Sequence, residues 1–557
     1  MPITLARPQL VRPAHWLLDL SIGGTVYRFA DEGLTVAAGA LSNRYLAGVG
    51  GLSVELGAPG LSVAIELDPG AGGATWAELI ARGADLEAGT AELRWWTEGM
   101  DYAEALVVAA GPVVAPEYGG ADEPLAFSIE GQRYDSTATI PPQGASINEQ
   151  TWPITTSPFA LQPDPQVIGA AYPWVYGRPG RDGISVWGRW SFAAPASPTY
   201  VGEWGDGAHT INDSKLVIAG HPVVASTVLV TDTSGGYAPG PRPSTPPTVS
   251  STLTVELATD GQGRQVSIVQ RADGDALRII AGNEYWISWT SGGGRVDPIT
   301  GGELRGAGAV IEDLLLSAGV PYDRGRMSAA RAELDPIVLD AAITEPTTPQ
   351  DWIESSIGGL VDLVRQESSD GVWYELRRWH GLAVDAALFL SADTAADGRL
   401  RVQRTSRVGL PGRDAVENDM LLRYRKCRQG FARTLRMYGA MDPAIGDYEA
   451  ASQLAAVSEL RYGRRPVEIE TAIIADDSAA ARVLTHRMQA RAIVRRRFTV
   501  SGPIELLRAG LNSIVLYSEA ALGLSDAVAL VTAMRVGLTE CVAELTLLDE
   551  PLDRGRA

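Results

Sequence analysis

The sequence predicts a multidomain, β-rich α+β protein, and three observations carry that expectation. At 557 residues the chain exceeds what one hydrophobic core organises, so several domains are expected. Its 45% hydrophobic residues and mean hydropathy of +0.00 are those of a folded chain rather than a disordered one. The 61 Gly and 34 Pro are spread widely, which favours many short strands and tight turns over long helices.

The elements follow in order. Residues 16–31, WLLDLSIGGTVYRFAD, read as a hairpin turning at Gly23-Gly24. Strands are expected around 52–67, 91–96 and 104–110, a short helix near 74–82, and a second hairpin at 125–137. A Pro-rich stretch follows, with strands at 184–192, 215–219, 223–231, 252–257, 265–270 and 284–290. Within it, residues 233–250, TSGGYAPGPRPSTPPTVS, read as an exposed, mobile linker. Ala307, Val310, Ile311, Leu314, Leu315 and Ala318 share one helical face, and Gly319 and Pro321 stop that helix. Thr348 is placed to cap a second helix over 348–364, with Pro349 in its first turn. Strands near 372–379 and 400–405 precede a basic stretch at 421–439. Residues 464–500 read as a strand, a cap at Asp477 or Ser478, and a helix burying Ala480, Val483, Leu484 and Met488. Strands at 527–536 and 540–548 close the chain.

These elements divide into an N-terminal β-rich domain (1–140), a Pro/aromatic-rich β insertion (141–300), a mixed α/β domain (301–410) and a C-terminal β domain with one helix (411–557).

The formal net charge of −20 argues against general nucleic-acid binding, which needs clustered cations. No continuous apolar stretch marks a signal peptide or a membrane span, so synthesis and folding in a cytoplasm are expected. Cys427 and Cys541 are far apart and form no CxxC. Arg425, Lys426 and Arg428 around Cys427 would lower a thiol pKa, but no base or oxyanion site accompanies them. His15, His209, His221, His380 and His486 are scattered, without metal-ligand spacing, and structural or surface roles are expected of each. RGAGAV at 305–310 lacks the third Gly and the lysine of a phosphate loop. No catalytic, cofactor or metal residue is therefore assigned, and no enzymatic activity is expected.

Arg423, Arg425, Lys426, Arg428, Arg433 and Arg436, and Arg491, Arg495, Arg496 and Arg497, are expected to pair with carboxylates or to complement a helix C-terminus. In AAYPWVYGRPG (170–180), Tyr172, Trp174 and Tyr176 alternate, so in a strand they share one face, and Pro173 confines that strand to an edge. They are read as packing or subunit contact rather than as a sugar platform.

Several stretches resemble baseplate or tail-tip hub proteins of long-tailed bacteriophages and gene-transfer particles. The resemblance lies in RYGRRPVEIETAIIADDSAAARVLTHRM (461–488), LVTAMRVGLTECVAELTLLDEP (530–551), AGAVIEDLLLSAGVP (307–321) with ITEPTTPQDWIESSIGGL (343–360), and KLVIAGHPVVASTVLVTD (215–232) with the aromatic stretch. It implies tail-tube-like β-barrels in the N-terminal region and in the segment from about 411, with a smaller mixed α/β domain between them. It further implies a homotrimeric structural virion protein, assembled in the bacterial host cytoplasm and placed at the tail tip. Its partners would be a tail tube or distal tail protein above and a central fibre or spike below, with DNA passing through unbound. The alternatives are a tail-associated cell-wall or glycan hydrolase, or a glycan-binding receptor-recognition module.

Overall fold

Trp16, Leu18, Leu20 and Ile22 alternate along β1 (Ala14–Ile22) and enter one core, while Leu17 faces a smaller cluster with Val36 and Tyr45. Gly23 and Gly24, both at positive φ, reverse the chain, and β2 (Thr25–Ala30) pairs back antiparallel in the expected hairpin. The computed structural model describes residues 14–39, 41–56, 62–68, 83, 85–118, 123–130, 138–141, 147–148, 168–169, 171–179, 192–193, 216–223, 228–232, 253–271, 285–289, 294–297, 301–368, 371–380, 383–393, 399–410, 412, 415–427, 430–438, 449–474 and 476–548. The helix expected near 74–82, most of the strand at 184–192 and the linker at 233–250 lie outside the described residues.

The N-terminal unit continues with β3 (Leu34–Ala38), β4 (Leu41–Ala47), β5 (Val49–Leu56), β6 (Ser62–Leu67), β7 (Thr90–Thr97), β8 (Leu106–Tyr118) and β9 (Leu125–Glu130). β8 starts later than expected because Tyr102–Glu104 form a short 3-10 turn capped by Asp101. The pairing path runs β5-β6-β9-β8-β7-β1-β2-β4. Its two ends are consecutive in sequence: β4 runs parallel to β2, and one residue later β5 runs antiparallel to β6. Gly48, between them, donates to Ala30 O at 2.9 Å and accepts from Asp68 N at 2.8 Å. The pairings therefore return on themselves as a ring.

The middle of the chain adds β10 (Trp174–Tyr176), β11 (Phe192–Ala193), β12 (Leu216–Ala219), β13 (Val228–Asp232), β14 (Leu253–Thr259), β15 (Gln265–Arg271) and β16 (Tyr285–Trp289). These form small sheets, β11-β16-β13 and β12-β15-β14, and β10 pairs with β17 (Ala341–Ile343). Helix α1 (Ala307–Ser317) ends at Gly319, φ 70°, where the sequence places its stop. Helix α2 (Arg324–Leu334) was not expected; it buries only Met327 and Leu334 and depends on an Asp323 cap. Thr348 caps α3 (Pro349–Trp352) through Asp351 N at 3.0 Å, as expected, but the helix does not reach 364: it widens over Ile353–Ile357, gives way at Gly358 and Gly359, and the chain is extended from Leu363. The hairpin β18 (Leu363–Ser368) and β19 (Gly371–Leu376) follows.

The last part comprises β20 (Leu388–Ser391), β21 (Leu400–Arg401), β22 (Gln403–Arg404), β23 (Asp419–Cys427), β24 (Gly430–Met437), α4 (Glu449–Tyr462), β25 (Pro466–Glu470), α5 (Asp477–Arg491), β26 (Arg497–Gly502), β27 (Ile514–Glu519), β28 (Leu524–Gly537) and β29 (Cys541–Leu547). Two helices stand where one was expected, because α4 carries too even a polar mixture to show a face. The cap of α5 is Asp476, which accepts from Ser478 N at 2.8 Å, one residue ahead of the expected Asp477 or Ser478.

A second pairing ring runs β22-β26-β29-β28-β27-β20-β21. It closes as the first does: β21 lies parallel to β20, and after Val402 the chain continues as β22, antiparallel to β26. Strand for strand, β20, β21/β22, β26, β27, β28 and β29 repeat β2, β4/β5, β6, β7, β8 and β9 in sequence order and in neighbour order. β1 and β3 have no counterparts: β3 only flanks β4, whereas β1 lies within the ring, and where it would intervene β27 and β20 pair directly in parallel. Strands β23–β25 and both late helices instead share a core with residues 304–374.

Candidate functional site

The two rings are fused edge to edge, and the fusion is the candidate site. β28 pairs with β27 and β29 inside its ring, and its last four residues pair with β5 of the other, from Met534↔Leu56 to Gly537↔Ser53. The result is one 16-stranded sheet. The apolar interior is equally continuous. Trp16, Val54, Val63 and Phe127 from one ring and Val500, Val531, Val536 and Leu545 from the other belong to a single buried cluster. Trp16 is fully buried and its Nε1 donates to Leu538 O at 3.1 Å, tying β1 to the turn after β28. Arg535 and Glu55 face each other at 3.5 Å across the seam, but both are exposed, so that pair adds little.

The closing segment of the second ring is clamped by charge. Arg404 of β22 forks onto Glu519 at the end of β27, with Nε–Oε2 3.0 Å and Nη2–Oε1 3.1 Å. Tyr517 donates to the same carboxylate at 2.7 Å. Burial would raise the Glu519 carboxyl, but the hydrogen bonds from Arg404 and Tyr517 outweigh it and hold the group below its ordinary value.

The aromatic stretch does not present a platform. Tyr172, Trp174 and Tyr176 are all buried, and they do not share a face as their spacing suggested. Strand β10 begins only after Pro173, so Tyr172 turns into a separate small core with Ile147, Val217, Val266 and Ile268. Trp174 and Tyr176 enter the core of the mixed unit. Tyr176 donates to Asp313 Oδ2 at 2.7 Å, and Arg295 bonds Asp313 while lying 4.2 Å from the centre of the Trp174 ring. The following turn is held by Arg178, which forks onto Glu303, and by Asp340, which accepts from Arg178 N at 2.8 Å and from Arg305.

His221 serves this strand. Its Nε2 accepts from Val175 N at 3.0 Å and its Nδ1 lies 2.8 Å from Pro222 O, which fixes a neutral ring protonated at Nδ1. Burial, followed by the nearby Arg295, pushes its pKa down to about 3. The unfolded ring titrates near 6.5, so the folded state gains from the neutral form at high pH and loses that gain as pH falls. We expect the urea midpoint to fall continuously between pH 6.5 and 4, and a His221→Leu chain to show a flatter profile over that range.

The remaining sequence candidates fall into structural roles. His15 contacts Asp31 at 3.2 Å, His380 is exposed, and His486 is half-buried, with desolvation lowering its pKa to about 4. His209 and the side chain of Cys427 lie outside the described residues. Burial raises the Cys541 thiol to about 12 and leaves it inert. Part of the basic set pairs with carboxylates as expected, Arg423 with Glu468, Arg425 with Asp477 at 3.1 Å and Arg436 with Asp419 at 2.7 Å, whereas Arg433 and Arg497 have no carboxylate partner among the described residues. Arg495 donates to Ala490 O at 3.0 Å and to Gln489 O at the end of α5. Among the described residues no cluster of three or more His, Cys, Asp or Glu could hold a metal, and no helix is long and apolar enough to cross a membrane.

No protein-family model matches the sequence, and no curated protein matches it significantly. Among solved structures, the 43 kDa tail protein of prophage MuSo2 from Shewanella oneidensis aligns over 96% of this chain and 98% of its own, at 10% identity and TM-score 0.35. A tail protein from Neisseria meningitidis MC58 aligns over 95% and 96%, at 8% identity and TM-score 0.37. A chain of a native gene transfer agent virion aligns over 50% of this chain and 80% of its own, at 13% identity and TM-score 0.17. These TM-scores carry no functional argument.

Proposed function

We propose that the chain is a structural virion protein that forms the hub ring at the distal end of a phage tail. In this role it joins a six-fold tube to a three-fold tip and encloses the DNA exit channel. The observation that supports this reading most is the duplicated, fused ring. One chain with two topologically equivalent barrels gives a trimer six similar barrels, which is what matching a six-fold partner on one face and a three-fold partner on the other requires. The sequence resemblance to hub proteins points the same way. On this reading the first tube-like barrel spans 14–130, and the second is assembled from 388–404 and 497–547 rather than beginning at 411. A lumen made acidic by the −20 charge would let phosphates slide past without sticking. Function then resides in shape and symmetry. The glycan-platform alternative loses support, because Tyr172, Trp174 and Tyr176 are buried in their own chain.

Negative-stain imaging with solution mass measurement, in the presence of the adjoining tube protein, tests the proposal. The expected result is a three-fold ring with an open channel and a mass three times 59.1 kDa. A six-fold ring would move the protein to the distal-tail position, and a monomer that ignores the tube would overturn the reading.

A further inference from the structure

A cavity of about 510 Å³ opens where α5 and β19 meet the second ring. That lies within the roughly 300–1,000 Å³ typical of small-molecule sites. Four arginines line it, and only two are engaged. Arg491 reaches Asp362 at 3.6 Å, and Arg495 is turned to the carbonyls ending α5. Arg377 and Arg497 also line the cavity, yet among the described residues neither guanidinium has a hydrogen-bond acceptor or an ion-pair partner. Arg377 is half-buried and rests near Trp379, 5.8 Å from the ring centre.

Three carboxylates also line the cavity, and each is engaged by another side chain: Glu354 accepts from Gln350 Nε2 at 2.9 Å. Asp362 accepts from Trp379 Nε1 at 2.6 Å, and Glu544 accepts from Thr532 Oγ1 at 2.8 Å. Burial lowers the Arg377 pKa; Asp362 opposes it most, Arg497 lowers it further, and Glu544 opposes weakly. Each guanidinium presents five donors in a planar fork, which an oxyanion supplied from outside matches in number and geometry.

We propose that this cavity is a binding site for a small tetrahedral oxyanion of the phosphate class, held by Arg377 and Arg497 against the Trp379 wall. The site is independent of the hub reading. Calorimetric titration of the full chain with inorganic phosphate, at ionic strength held constant with chloride, tests it. Saturable binding is expected, displaced by sulfate and weakened about tenfold or more in both Arg377→Met and Arg497→Met. Arg497 is exposed, so its variant keeps the test valid if Arg377→Met fails to fold. No saturable phosphate binding by the wild-type chain, or unchanged affinity in the folded variants, would overturn the proposal.

Discussion

Trp16→Ala is expected to lower the free energy of unfolding by about 3–5 kcal/mol, the range for removing a fully buried large aromatic. Trp16 sits at the head of β1, the strand the first ring has and the second lacks, and its indole is buried within the interior common to both. Truncation leaves a cavity at that junction and strands Leu538 O, whose indole donor at 3.1 Å would be gone. The effect should not be confined to the first ring, because the lost contact reaches the turn that leads β28 into β29. Denaturant titration followed by circular dichroism measures it. A loss below 1 kcal/mol would mean that the two interiors do not depend on one another; values that small are ordinary for exposed sites rather than for buried ones (about ±0.5 kcal/mol).

The second large effect is expected at Gly177, the residue that turns the aromatic strand. Its φ is +62°, and a Cβ there would stand 2.3 Å from both Leu339 O and Asp340 Oδ1. Gly177→Ala thus combines a left-handed backbone with a steric clash, together about 2–6 kcal/mol. Relief would require moving Asp340, which is fixed by Arg305 at 2.7 Å and by Arg178 N at 2.8 Å. The substitution should therefore also loosen β10, and hydrogen exchange at Val175 and Tyr176 should accelerate in step with the loss of stability. Unchanged exchange beside a large stability loss would argue that the turn, rather than the strand, absorbs the strain.

Local signals were readable from the chain wherever one element carries its own pattern. Val310, Ile311, Leu314 and Leu315 announce α1, Thr348 announces the start of α3, and the alternation of Ala543, Leu545 and Leu547 announces β29. The rings were not readable in the same way. Their closure rests on β21 and β22, two residues each, and on single linking residues, Gly48 and Val402, which no periodicity can mark. It also joins segments about a hundred residues apart, so the second ring's first strands fell into the unit expected to end at 410. The aromatic triplet misled for a different reason. Period-two spacing implies one face only if the strand runs through all three positions, and Pro173 delays it until Trp174. Arg404 and Glu519 carry no sequence signal of their partnership, which exists only because the ring closes.

The second ring is interrupted between β22 and β26, yet the interruption begins and ends at one place. Thr405 N donates to Thr499 O at 2.9 Å, and Gly409 and Arg497 exchange backbone hydrogen bonds of 2.7 and 2.9 Å. The excursion through β23–β25 and both late helices thus departs and returns through a doorway one strand spacing wide. Because the ends of that excursion are already pinned by the ring, its length bears only weakly on the entropy of closing it, which grows as the logarithm of loop length. The ring is in this sense a fixed frame, and the inserted body, which shares its core with residues 304–374, is carried by that frame without interrupting its register.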